Sequence, residues 1–147
     1  MSDSDLIKLY SARILALAAD IPRTDRLPAP DATARRRSPL CGSTVTVDLK
    51  VAGDTITDYG QEVRACALGQ AAAAIVGAHV VGRTQAEVQK ARDQLHAMLK
   101  EDGPAPEAPF DDLAVLAPAR DYKNRHASIM LALDATLDAL AQLRATA

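Results

Sequence analysis

The hydrophobic pattern changes between residues 44 and 78 from strand-like to helix-like, and this limits the possible folds more than any other feature of the chain. Val45, Val47, Leu49 and Val51 alternate with Thr44, Thr46, Asp48 and Lys50, a two-residue period that gives a strand one apolar and one wet face. Ala52-Gly53-Asp54 reads as a turn and Thr55 to Val63 as the returning strand. From Cys66 to about Ala78 the residues are nearly all small and apolar, including Ala71 to Ala74, which fits a helix lying close against a neighbour. A hairpin with one apolar face needs a cover, and the rest of the chain reads as the helices that supply it.

Leu6, Tyr10, Ile14 and Leu17 recur at helical spacing, predicting a helix from Leu6 to Ala19 with Asp3 or Ser4 as cap and Pro22 beyond its end. Residues 22 to 40 hold Pro22, Pro28, Pro30 and Pro39 and the run Arg35-Arg36-Arg37, and read as a loop with a solvated charge run. After Gly82-Arg83, Thr84-Gln85-Ala86-Glu87 is a capping box that starts a helix with the stripe Val88, Ala91, Leu95 and Met98, stopped by Gly103-Pro104. Residues 101 to 112 carry five acids and three prolines and read as an exposed, mobile loop. A helical turn around Leu113 to Leu116 follows. A last helix is predicted from about His126 to Leu143, with Ile129, Met130, Leu133, Leu137 and Leu140 inward. The order helix, hairpin, helices predicts an α+β fold, a small antiparallel sheet with helices packed on one face. At 147 residues the chain, 1–147, reads as a single domain. Its 30 alanines, three tyrosines and one phenylalanine leave small and aliphatic side chains to build the core.

Net charge is −2, with no basic excess to mark a nucleic-acid partner. No apolar run approaches the roughly 20 residues of a membrane span. Met1-Ser2-Asp3-Ser4-Asp5 is acidic where a signal peptide is basic, so the expected location is cytoplasmic and the two cysteines are expected to be thiols. There is no Gly-rich phosphate loop, Gly-x-Ser-x-Gly, His-Glu-x-x-His or Cys-x-x-Cys.

The cysteines hold the chemical interest. Gly53 centres the hairpin turn; Cys41 lies 12 residues before it and Cys66 lies 13 after, so antiparallel pairing brings both to one end of the hairpin. Cys66 is expected at the first turn of a helix, where unpaired N–H groups and the helix dipole favour a thiolate. Two thiolates form half of a soft-metal site. His126, opening the last helix, is a candidate third ligand. On spacing alone three readings stay open: a metal site, unrelated buried side chains, or a Cys41–Cys66 disulfide. His79 and His96 read as structural or solvated.

Pro39-Leu40-Cys41-Gly42, an alternating strand pair, and Cys66-Ala67-Leu68-Gly69-Gln70-Ala71 opening a small-residue helix together resemble the U-type iron–sulfur cluster assembly scaffolds, also called NifU-like N-terminal domains. Leu9-Tyr10 with Pro22-Arg23, the turn Gly82-Arg83-Thr84, and Pro118-Ala119-Arg120 followed by Arg125-His126 extend the resemblance over nearly the whole chain. It implies a scaffold, not an enzyme, on which a transient [2Fe–2S] cluster is built from iron and persulfide sulfur and handed on, with zinc also able to occupy the site. The implied partners are a cysteine desulfurase and recipient apo-proteins. Cys41 and Cys66 would be the first two thiolate ligands; the family's third cysteine commonly receives the sulfur, and if sulfur is received here without it, Cys66 at its helix N-terminus is the expected receiver.

The chain departs from the family pattern at two positions. The aspartate two residues after the first cysteine is Ser43 here, and the third cysteine is absent. One register puts His126 at that third position, giving a Cys41, Cys66, His126 site for iron, a cluster or zinc. A shift by one puts Ala127 there, with His126 as its neighbour. Imidazole in place of thiolate removes a negative charge and raises cluster potential, as in Rieske-type centres. Lys123 and Arg125 are candidates for steering an anionic sulfur species or a partner. The alternative function is a degenerate paralogue of the scaffold, zinc-binding or metal-free, acting as an interaction or regulatory module.

Overall fold

In the computed structural model, which describes residues 10–39 and 42–145, the alternating segment forms the expected hairpin. Strand β2 (Thr44–Ala52) pairs antiparallel with β3 (Thr55–Arg64), and Gly53 takes the left-handed φ of 63° that the tight turn requires. Val45, Val47, Leu49 and Ile56 point to one side and are almost completely buried. Helices cover that side, so the α+β class and the three-stranded antiparallel sheet with packed helices are as the pattern implies.

The segment expected to be wholly loop, 22 to 40, contains a third strand. Strand β1 (Ala32–Arg37) pairs with β2 in the register Ala34↔Val47 and Arg36↔Val45, giving the order β1-β2-β3. It consists of alanine, threonine and arginine, without the β-branched and aromatic pattern that marks a strand. Only Ala32 and Ala34 are buried, under the last helix, so small residues suffice on that face. The arginine run is therefore strand, not loop: Arg36 reaches across to Asp138 (Nε to Oδ2, 2.6 Å) while all three arginines stay exposed. Arginines on an outer strand also discourage edge-to-edge pairing with other chains.

Helix α1 (Ala12–Ala19) is capped by Ser11, whose Oγ accepts the Ile14 N–H at 3.3 Å. The expected start at Leu6, with Asp3 or Ser4 as its cap, lies outside the described residues. Helix α2 (Ala67–His79) carries the alanine run and is buried along most of its length. Helix α3 (Gln85–Lys100) starts at the full capping box of Thr84 and Glu87 and buries the predicted stripe of Val88, Ala91, Leu95 and Met98. Residues 101 to 110 are more anchored than the acidic, proline-rich sequence suggests. Pro106 and Phe110 are buried, Asp102 holds Arg120 at 2.7 Å, and the Glu107 N–H donates to Gln94 at 3.0 Å. The short turn at Leu113 is a longer 3-10 helix (Asp111–Asp121). Helix α4 (Lys123–Ala145) begins three residues before its predicted start and lies at the centre, touching α2, α3, β1 and β2.

The other side of the sheet is crossed by the segment between α1 and β1. The Gln61 N–H on the free edge of β3 donates to the Arg23 carbonyl at 2.8 Å. The chain then passes Gly60 so closely that a Cβ there would overlap the Asp25 carbonyl. It is fastened at Asp48, which is fully buried. The Arg26 guanidinium (2.5 and 3.0 Å), the Leu27 N–H (3.1 Å) and the Thr33 hydroxyl (2.6 Å) all donate to this carboxylate. Burial pushes the Asp48 carboxyl upward, but these donors outweigh it and hold it below its ordinary value.

Candidate functional site

Thr44 and Arg64 are cross-strand partners, so the chain enters β2 and leaves β3 at the same end of the sheet. Two residues beyond β3, Cys66 is the N-cap of α2, with extended backbone (φ −65°, ψ 168°). Its side chain makes no capping hydrogen bond to the helix. Cys66 is half-buried and carries a free thiol.

On the β2 side, the turn from β1 is closed by the Ser38 N–H donating to the Ser43 carbonyl at 2.8 Å and the Gly42 N–H donating to the Ser38 carbonyl at 2.9 Å. Gly42 has φ of 70°, a left-handed conformation that suits glycine. Cys41 lies outside the described residues. Ser43, at the position of the family's aspartate, is 4% exposed, and its Oγ accepts a hydrogen bond from Ser128 Oγ at 3.2 Å. Ser128 Oγ is in turn 3.5 Å from Cys66 Sγ. A chain of two hydroxyls thus links the start of β2, helix α4 and the thiol at the start of α2.

Sequence reasoning missed Ser128. The spacing after His126 offered one signal: the helix advances about 100° per residue, so residues 126 and 128 point about 200° apart and cannot both face α2. Ser128 is the one that touches Cys66. Gly69, one turn into α2, makes room for it, since a Cβ there would overlap Ser128 Oγ and lie 3.2 Å from the Ser128 carbonyl oxygen.

His126 is 1% exposed, with its Nε2 2.9 Å from the Ala119 carbonyl at the end of the 3-10 helix. A carbonyl oxygen only accepts, so Nε2 carries the proton and Nδ1 keeps a lone pair. Nδ1 is buried and has no hydrogen-bond partner. Burial lowers the pKa of this histidine, helped by the nearby Lys100 and Lys123 charges and only partly opposed by the Ala119 hydrogen bond, so the ring is neutral at pH 7. A neutral imidazole fixed at one nitrogen by a backbone carbonyl, with a bare lone pair at the other, is the form in which histidine binds metals. Among the described residues there is no group of three or more His, Cys, Asp or Glu side chains that could hold a metal ion. His79 lies 3.6 Å from Asp112 and edge-on to Phe110, away from the thiol.

Comparison with known proteins places this arrangement in a family. The crystal structure of a nitrogen-fixing NifU-like protein (N-terminal) from Brucella abortus superposes with a TM-score of 0.95 and 46% sequence identity, covering 97% of this chain and 99% of that one. The chain belongs to the NifU-like N-terminal family. A candidate iron–sulfur cluster assembly scaffold protein for the SUF system from Fervidobacterium islandicum AW-1 shares the fold at 19% identity, with a TM-score of 0.83 over 91% of this chain and 98% of that one. A hypothetical protein shares it at 20% identity, with a TM-score of 0.76 over 90% and 97%. No protein-family model matches the sequence, and no curated protein matches it. No helix among the described residues is long and apolar enough to cross a membrane.

Proposed function

We propose that the chain is an iron–sulfur assembly scaffold or carrier. It receives iron and sulfur, holds a [2Fe–2S] cluster transiently as cargo and passes it on, without turnover chemistry of its own. The cargo ligands in this reading are the thiolates of Cys41 and Cys66; His126 is the third candidate through Nδ1, although its ring is held on the Ala119 carbonyl and would have to turn from the 3-10 helix to reach the Cys66 side. The observation that carries the proposal is the hydrogen-bonded link from Ser43, two residues past Cys41 in the chain, through Ser128 to the Cys66 thiol, in a member of the NifU-like family. The lone pair of His126 Nδ1, buried and unpartnered, supports its inclusion. Thiolate and imidazole donors suit iron in a cluster, and they also suit zinc.

Ser43 cannot supply a carboxylate's charge to a metal or help cluster release as an aspartate would, and a neutral imidazole in place of a third thiolate removes one negative charge and raises the cluster potential. Partners in this reading are a cysteine desulfurase, which delivers sulfur to Cys66, and cytoplasmic apo-proteins that receive the cluster.

The test is iron, zinc and acid-labile sulfide per chain after anaerobic purification, for wild type, Cys41→Ser, Cys66→Ser and His126→Ala. The expected result is iron with sulfide in the wild type, lost in either cysteine variant and weakened in His126→Ala. Zinc without sulfide, together with failure to reconstitute a cluster, would favour a zinc-binding interaction module. Absence of any metal and of any reconstituted cluster would leave only the fold.

A further inference from the structure

We propose that the uncovered end of the sheet, on the face away from the helices, is a docking surface for an acidic face of the protein that delivers sulfur. The inference rests on the scaffold reading for the partner it names. The strand register builds this surface row by row. Thr33, Asp48 and Gly60 are cross-strand neighbours, and the segment after α1 crosses the sheet there, fastened to Asp48 and pressed against Gly60. Side chains two residues further along each strand return to the same face. The next row is therefore Arg35, Thr46 and Glu62, and the last is Arg37, Thr44 and Arg64. Both threonines are half-buried and the four charged residues are exposed. The described residues thus leave a flat shelf two rows deep, with threonines as its floor and arginines on its outer strands.

Charge on this shelf is not balanced. Glu62 is its one acid among the described residues, and it is already shared between Arg64 at 3.3 Å and Arg26 at 3.7 Å. Arg35 and Arg37 make no ion pair or hydrogen bond with the described residues. Arg36, between them in the chain, falls on the helix side, where Asp138 neutralises it. Alternation along β1 therefore divides the arginine run into one residue that ties the strand to α4 and two that face outward without a counter-charge.

The place of the shelf and its spacing define the occupant. Its last row ends the sheet where β3 runs out to Cys66, two residues beyond Arg64, so a body resting on the shelf lies beside that thiol. Arg37 and Pro39 also line a hollow of about 320 Å³ at this end. Arg35 and Arg37 stand about 7 Å apart along β1, and Arg37 and Arg64 about 10 Å apart across the sheet. Charges this far apart do not converge on one small anion, whereas carboxylates spread over a protein surface can meet each guanidinium separately. The two rows hold no aromatic side chain on which a base could stack. A scaffold meets one sulfur donor in every cycle and many different recipients, and a fixed pattern of charges fits the constant partner. Opposite charges at such a surface also speed encounter and fix orientation.

The experiment titrates the purified cysteine desulfurase of the same organism into the metal-free chain, by calorimetry at about 0.1 M and about 1 M salt. Wild type is compared with the double variant Arg35→Gln/Arg37→Gln and with Thr46→Glu, which keeps every arginine and sets a carboxylate beside Arg35. The control is Arg36→Gln/Lys90→Gln, which removes the same net charge from positions outside the shelf. At the lower salt the double shelf variant should bind about five- to thirtyfold more weakly, the factor for two exposed ion pairs. Thr46→Glu should also weaken binding, and the control should stay within about twofold of wild type. At the higher salt, where charges are screened beyond about 3 Å, the gap should close. Shelf variants that bind as well as the control, a gap unchanged by salt, or no binding by wild type would overturn the proposal. So would a shelf variant that binds the desulfurase normally but loses an acidic recipient apo-protein, since the occupant would then be the recipient. Shelf-dependent, salt-sensitive binding by a chain that takes up neither iron nor sulfide would instead sink the scaffold reading and leave the docking surface standing.

Discussion

At the scale of single residues, Asp48, on the opposite face of the sheet from the helices, is a buried carboxylate held by several donors. Four donor contacts converge on a carboxylate with no exposed surface, while Arg26 remains 46% exposed. Replacing the acid therefore costs mainly through the Thr33 hydroxyl and Leu27 N–H left unmatched, and less through the arginine, which returns to water. Asp48→Asn should destabilise the fold by about 2–4 kcal/mol at pH 7, measured by urea denaturation. The pH dependence follows from the lowered carboxyl pKa. The unfolded chain binds the proton first, so the contribution is complete above an ordinary aspartate pKa of about 3.9 and is lost as pH falls through the lower folded value. The stability gap between wild type and Asp48→Asn should therefore close below about pH 4. A gap that is constant from pH 7 to pH 2 would show that the carboxylate is not the source.

At the scale of elements, the helix starts at Cys66 and Thr84 were legible because each is written in a few adjacent residues. The capping box at Thr84 and Glu87 is present in full: Thr84 Oγ1 accepts the Glu87 N–H, and Glu87 accepts the Thr84 N–H, each at 3.2 Å. Thr84→Ala should cost about 1 kcal/mol, read as a lower thermal midpoint, with Thr84→Ser restoring most of it. Cys66 was likewise legible as a helix start, since a run of small residues begins directly after it. Strand β1 was not legible. Its apolar side is two alanines, and its partner strand and covering helix supply what its own side chains lack. The loop after α3 was misread for the same kind of reason: its charge and prolines are local, whereas the burial of Phe110 depends on the helices around it.

At the scale of the whole molecule, α4 joins the layers, and its contacts differ greatly in worth. Arg36 and Asp138 are 48% and 40% exposed, and such surface pairs contribute about 0–1 kcal/mol. Leu133, in the same helix, is completely buried, and truncating a leucine there removes apolar contact and leaves a cavity. Leu133→Ala should cost about 2–5 kcal/mol and Arg36→Ala less than about 1 kcal/mol, with only the latter shrinking further in high salt. Comparable losses in urea titrations of the two variants would mean that the β1–α4 ion pair carries more than its exposure allows.

The sequence by itself determined the elements whose signals lie within a few residues: the hairpin and its glycine turn, the alanine-rich helix, the capping box, and the position of Cys66 at a helix start. It also carried the family resemblance, because the order of those elements is itself a pattern. The tertiary structure alone decided what surrounds Cys66. Ser128 is 62 residues away in the chain and Ser43 is 85 residues from Ser128, and no local period encodes their meeting. It follows from the rotation of α4 about its own axis, fixed by burial of its aliphatic residues against α2, α3 and the sheet, and from the space left by Gly69. That rotation turns His126 toward the 3-10 helix and Ser128 toward the thiol, because two residues of helix amount to more than half a turn.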